Sequence, residues 1–198
     1  MKVGTKSVLF GAHCFFIHPI FLFIAWCKLY GFPFDPRLWV AFFVHDLGYI
    51  GKPNMDGEEG ETHVELGAKI MGFLFGKTWA DFSRYHSRFY AKKDGVKPSK
   101  LCIADKFAIC LEPAWFYLLR VNLSGEIKEY MRLAGKDKYK GETLNRDEFM
   151  NLDTGTQRGW FNSMTSYMRR WVAEHKDGKE DTWTPQQNQK IIEYESKT

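Results

Sequence analysis

The stretch FFVHDLGYIGKPNMDGEEGETHVELGAKIM, residues 42–71, decides how the rest of the chain is read. An aromatic and aliphatic run leads straight into His45-Asp46, a polar glycine-rich loop follows, and a second helical pattern opens with His63. A carboxylate beside an imidazole at the buried end of so apolar a segment is costly unless something compensates both groups. The compensating partners have to come from elsewhere in the chain.

Outward from this stretch, helical periodicity dominates and no period-2 strand pattern appears, so the chain is expected to be all-α. The pattern predicts a buried helix over about 10–30, ended by GFPFDP. Asp35-Pro36 then reads as an N-cap with proline at the first helical position, opening a helix through about 48. After the loop GKPNMDGEEG, Glu61 or Thr62 opens a helix that closes at Gly76, a residue suited to a C-cap. Further helices are predicted over about 77–92 and, capped by Ser99, over about 100–111. Residues 136–156 are polar and weakly patterned. In GWFNSMTSYMRRWVAEH, Trp160, Met164, Tyr167, Met168 and Trp171 fall at helical spacing, a stripe suited to packing against the domain. The segment from Asp177 onward reads as a loose polar tail.

A chain of 198 residues, 44% hydrophobic and 26% charged, can bury a sizeable core and is neither disordered nor fibrous. A net charge of +4 is too diffuse to argue for specific nucleic-acid binding, though it would assist an anionic small molecule. Cys14, Cys27, Cys102 and Cys110 lack metal or redox spacing and read as buried thiols of a reducing, cytoplasmic protein. Residues 8–27 carry no Lys, Arg, Asp or Glu and are long enough to span a bilayer. The two histidines and Pro19 inside the run, and the lack of a cleavage site after it, favour a core helix with no membrane role.

Five of the six histidines precede residue 90. His18, His45-Asp46, His63, His86 and Asp105 fall on separate predicted helices, each among apolar neighbours. One such histidine is ordinarily a core residue with a hydrogen-bond partner. So many polar groups turned into one helical core would share a large desolvation cost, and shared metal ions would remove it by taking up imidazole and carboxylate lone pairs. Adjacent helical residues point about 100° apart, so His45 and Asp46 at a helix end can approach one ion from different sides while Asp46 reaches a second. His13 is read as a neighbour of His18 in the same helix, and either could serve; spacing to His45 favours His18. His175, in a charged run, reads as solvated.

The order H…HD…H…H…D resembles the HD-domain superfamily of all-helical metal-dependent phosphohydrolases. HDLGYIGKP followed by HVELGAKIM is similar to its HD-GYP branch, as are YHSRF and CIADKFAI, over roughly residues 10–112. The resemblance implies an HD-like helical bundle over residues 5–115, with 116–198 as a C-terminal helical extension. It implies that His18, His45, Asp46 and Asp105 bind one metal and that His63 and His86 complete a second site with Asp46 bridging. The cofactors would be two divalent transition-metal ions, Mn, Fe, Ni or Zn, with Mg a further candidate.

The implied activity is hydrolysis of a nucleotide or related phosphate ester by a hydroxide held between two ions. Asp46 and Lys52 would carry catalysis, with Lys52 and Arg88 as phosphoryl clamps. Lys92, Lys93, Lys97 and Lys100 would form a basic rim, and Glu58, Glu59 and Glu61 are acidic groups near the same loop. The chain departs from the branch where Tyr85 replaces the first of two histidines, where the Gly-Tyr-Pro signature is missing, and where Tyr49 stands in place of the acid-base glutamate of related nucleotidases. A di-iron oxygenase uses the same ligand types, and a nucleotide-binding sensor is the non-catalytic alternative.

Overall fold

In a computed structural model, residues 1–134 and 152–181 are described, together with the backbone of 138–139 and 142–143. The fold is all-α, with one minimal antiparallel pairing of Lys138–Tyr139 with Glu142–Thr143. Most of the weakly patterned stretch 136–156, and residues 182–198 of the polar tail, lie outside the described residues. None of the described helices is long and apolar enough to cross a membrane.

The apolar run near the N-terminus makes two helices, not the one expected over 10–30. The first, α1, spans Val3–Phe10 and the second, α2, spans His18–Tyr30. Pro19 is the reason: it has no N–H to donate and would clash with the carbonyl four residues back, so a helix admits it only in the first turn. Residues 11–17 form a turn that carries His13, so His13 and His18 do not share a helix.

Helix α3, Pro36–Val44, begins where Asp35 accepts a hydrogen bond from the Arg37 N–H at 2.9 Å. It stops at Val44 and not at 48, and a 3₁₀ turn follows over Leu47–Tyr49. A single turn, α4 (Glu58–Glu61), precedes α5 (Val64–Phe75), which ends at Gly76 with φ +84. The helix expected over 77–92 is broken into α6 (Lys77–Arg84) and α7 (Arg88–Asp94), because the Ser87 hydroxyl caps a new start by accepting the Tyr90 N–H. Ser99 caps α8, Lys100–Ala108, and a 3₁₀ turn runs over Ile109–Leu111. The remaining helices are α9 (Ala114–Ser124), α10 (Glu126–Leu133) and α11 (Gln157–His175).

The main core joins Leu22, Ala25 and Trp26 of α2, Phe42 of α3, Met71 of α5 and Leu101 of α8. A second core joins Tyr117 and Val121 of α9, Ile127 of α10, and Trp160, Phe161 and Met164 of α11. Cys102 and Ile103 of α8 against Trp171 and Val172 seat α11 on the first half of the chain. All four cysteines are free; three are buried and Cys27 is half-buried.

The reading of His175 as solvated is overturned. It is buried, stacks on Trp171 with ring centroids 4.4 Å apart, and its Nδ1 lies 2.7 Å from the Trp171 carbonyl. It continues the Trp171 stripe four residues on, which places it on the packed face whatever its charged neighbours do.

Candidate metal centre

The six predicted ligands come together in the structure, mostly at helix ends and turns. His18 is the first residue of α2 and His45 follows the last residue of α3. Asp46 lies in the turn before Leu47, His63 caps α5, His86 lies in the break between α6 and α7, and Asp105 lies within α8. All six are buried.

Two glycines permit this convergence. A Cβ on Gly67 of α5 would lie 2.9 Å from the His45 Cα, and one on Gly48 would collide with the His63 backbone carbonyl. With no side chain at either position, α5 lies directly against the His45-Asp46 turn.

The ligand atoms form two groups that share one residue. His18, His45, Asp46 and Asp105 make the first, Asp46, His63 and His86 the second, and within each group the atoms lie within 4.8 Å of one another. The Asp46 carboxylate divides between them. Its Oδ2 is 2.9 Å from His45 Nε2 and 3.5 Å from His18 Nε2, whereas its Oδ1 is 3.4 Å from His86 Nε2 and 3.7 Å from His63 Nε2. Asp105 Oδ1 lies 3.0 Å from His18 Nε2, and its Oδ2 accepts from Lys106 Nζ at 2.7 Å.

The outer ring nitrogens fix which inner nitrogens are bare. His45 Nδ1 lies 3.1 Å from the Phe42 carbonyl, His63 Nδ1 is 2.8 Å from that of Gly60, and His86 Nδ1 is 2.5 Å from that of Ser83. A carbonyl only accepts, so each Nδ1 carries the proton and donates it. Burial, and then the neighbouring His86, hold the His63 pKa well below its usual value; burial also lowers that of His86. Both rings are therefore neutral with an unprotonated Nε2, yet these two lone pairs face each other across 3.0 Å. His18 Nε2, His45 Nε2 and Asp46 Oδ2 are also buried without a hydrogen-bond partner in the protein, because their close approaches lack hydrogen-bond alignment. Converging lone pairs are repulsive alone and attractive around a cation.

The carboxylates supply the charge. Burial alone would favour the neutral acids, but imidazoles around Asp46, and Lys106 with His18 around Asp105, hold both well below the usual carboxylate range. Burial would lower the His45 pKa, yet Asp46 beside it raises it on balance. The Tyr49 ring lies parallel to His63 at 4.0 Å and fixes its plane. The buried His/Asp cluster could thus hold metal ions: its donors are N and O, each histidine whose Nδ1 is fixed is oriented by a backbone carbonyl, and the orphaned atoms point inward.

A cavity of about 280 Å³ opens beside the cluster, lined by Asp46, His63, His86 and Asp105 on one side and by α10 and α11 on the other. The predicted clamps behave differently. Lys52 is not among the described residues lining it; its ammonium donates to Thr62 Oγ1. Arg88 does line it, but Nε donates to Asp181 at 2.7 Å and the guanidinium lies over the Trp171 ring. Of the basic rim, Lys92 reaches the cavity, while Lys93, Lys97 and Lys100 are exposed elsewhere. Among the loop acids Glu61 lines the cavity and Glu58 and Glu59 do not.

Two lining groups escape the sequence reading of the site, and a third enters it only as an alternative to His18. Lys106 is legible only as the residue after Asp105. Asp56 looks like a turn residue in NMDG, but its carboxyl is pushed up to about 7 by burial and by the Glu61 and Glu129 carboxylates, against the pull of Lys106 and His13. His13, given above only as a neighbour or alternative to His18, lines the cavity as a cation. Burial would lower its pKa, but Asp46 and Glu126 lift it to about 9. Behind it, fully buried Glu126 accepts from the Ala12 N–H at 3.0 Å and the Tyr130 hydroxyl at 2.8 Å. Nothing local in the sequence marks Glu126 as buried. Compared with known proteins, the chain matches no family model, no curated protein and no solved structure.

Proposed function

We propose that this protein is a metal-dependent phosphohydrolase that holds two divalent cations, one in each ligand group, with Asp46 shared between them. The observation that carries the reading is the pair of bare imidazole nitrogens 3.0 Å apart beside a carboxylate that turns one oxygen to each group. The motif order, which resembles the HD-domain superfamily, is in keeping with it. Bound cations would supply Lewis acidity toward phosphoryl oxygens and make water a competent nucleophile at neutral pH.

The chain's own residues supply the rest. Lys106, Lys92 and His13 place positive charge along the cavity wall next to the cluster, where a phosphoryl group needs its oxygens neutralised. Asp56, its pKa pushed up to about 7, is partly protonated at neutral pH and can give that proton to the departing ester oxygen. For a monoester the reaction is the addition of water oxygen to phosphorus with cleavage of the P–O ester bond, giving inorganic phosphate and the free alcohol, whose oxygen takes up one proton as it leaves.

The test is elemental analysis of protein prepared without chelators, followed by turnover of a panel of phosphate esters with Mn²⁺ under anaerobic conditions. Two ions per chain and oxygen-independent phosphate release are expected. Activity that needs iron and consumes O₂ would make the protein an oxygenase, and a metal-free protein would end both readings.

A further inference from the structure

The cavity is not uniform. Where it meets the cluster its lining is charged, with Lys106, Lys92 and Asp56; where it meets the C-terminal half it is apolar, with Leu133, Leu152, Trp160, Met164 and Met168. A second lobe of about 200 Å³ continues past Asp105 and Lys106 and shares Trp160, Met164 and Met168, adding Ile109 and Tyr117. From its polar end, then, the space runs toward a wall of thioethers and aromatic rings.

Two of the neutral hydrogen-bonding groups that line the space, the Tyr130 and Ser87 hydroxyls, are engaged by the protein itself. The Tyr130 hydroxyl donates to Glu126 Oε2 at 2.8 Å, and its ring lies parallel to Trp160 at 5.7 Å. The Ser87 hydroxyl accepts the Tyr90 N–H and donates to Glu61 at 3.3 Å. No Asn, Gln or Thr lines either lobe among the described residues. A nucleobase or sugar reads as such only through matched donors and acceptors, and burying its polar atoms without them is unfavourable. An apolar group loses nothing there and gains its burial, and unbranched methionines adapt to its shape.

We propose that the substrate is a phosphate monoester of an apolar alcohol, with its phosphoryl end at the His/Asp cluster and its hydrocarbon part against Trp160, Met164 and Met168. The orientation rests on the phosphohydrolase reading; the apolar recognition does not. The α10–α11 half of the chain is then the specificity element, and nucleotides are poor ligands.

Isothermal titration of the full chain, with and without Mn²⁺, separates the two. The probes are non-hydrolysable: methylphosphonate, hexylphosphonate and the phosphonate analogue of adenosine monophosphate. Hexylphosphonate is expected to bind at least tenfold more tightly than either of the others. Met164→Gln with Met168→Gln should remove most of that advantage while leaving methylphosphonate binding within about twofold. The wild-type comparison stands by itself if the double variant fails to fold. Equal affinity for hexyl- and methylphosphonate, or preference for the adenosine analogue, overturns the proposal and leaves the metal reading intact. A hexyl preference that is indifferent to Mn²⁺ supports the apolar wall and counts against the metal reading. Absence of binding by all three overturns both.

Discussion

Asp46→Asn isolates the shared carboxylate with little change in volume. Four imidazole nitrogens face its two oxygens, at 2.9 and 3.5 Å on one side and 3.4 and 3.7 Å on the other. Asparagine keeps one oxygen and turns an NH₂ toward the other set, so one ligand group loses a donor atom outright and both lose the negative charge. A cation present at about 100 to 1,000 times its Kd stabilises the native state by about 2.7–4.1 kcal/mol. In a chain of this length each kcal/mol moves Tm by about 2–4 °C, so one site is worth about 5–15 °C. The wild type should therefore melt well above its chelator-treated form. In Asp46→Asn at least one site's share of that gap should vanish, with metal content falling by at least one ion per chain. Thermal melts followed by circular dichroism, with and without chelator and paired with elemental analysis, give both quantities. If Asp46→Asn keeps the wild-type gap and stoichiometry, the carboxylate is an ordinary buried acid and the two-ion account is wrong.

Three further outcomes follow from the same geometry. Gly48→Ala should lower both Tm and metal content, because its methyl displaces the His63 backbone; an alanine variant with unchanged metal content would refute the close-approach argument. Asp56 has a native pKa above its unfolded value, so the native state binds the extra proton and wild-type stability falls as pH rises from about 4 to about 7. Asp56→Asn should flatten that part of the stability profile and abolish a turnover limb near pH 7; profiles that superimpose on the wild type would remove Asp56 from the proton path. Asp181→Ala withdraws the carboxylate that meets Arg88, Lys92 and His175, and denaturant titration should show a loss of about 1–3 kcal/mol.

The features legible in the sequence are those with a local cause. The Asp35-Pro36 cap, the Ser99 cap and the Gly76 stop follow from residue chemistry within a few positions, and so does the all-helical periodicity. The six convergent side chains stand out because each interrupts an apolar pattern. The apolar run over 10–30 reads as one helix, but Pro19 within it needs a helix start beside it, and that local signal outweighs the run. Arg88 and Lys52 could not be resolved, because their partners are tertiary: Asp181 is 93 residues from Arg88, and Thr62 lies across the loop from Lys52. Asp56 takes its elevated pKa from Glu61 and Glu129, brought beside it only by the fold.

The cavity's two sides also differ in when they exist. The last of the six clustered side chains is Asp105, whereas Trp160, Met164 and Met168 belong to α11. A chain made from its N-terminus therefore completes this donor cluster more than fifty residues before α11 emerges, at a stage when N-terminal segments already begin to fold. On the proposed two-ion reading, ions would load onto an open half-structure before α11 closes over the cluster. On the same reading, the way to the cluster in the finished protein would be through the cavity that α11 helps to wall.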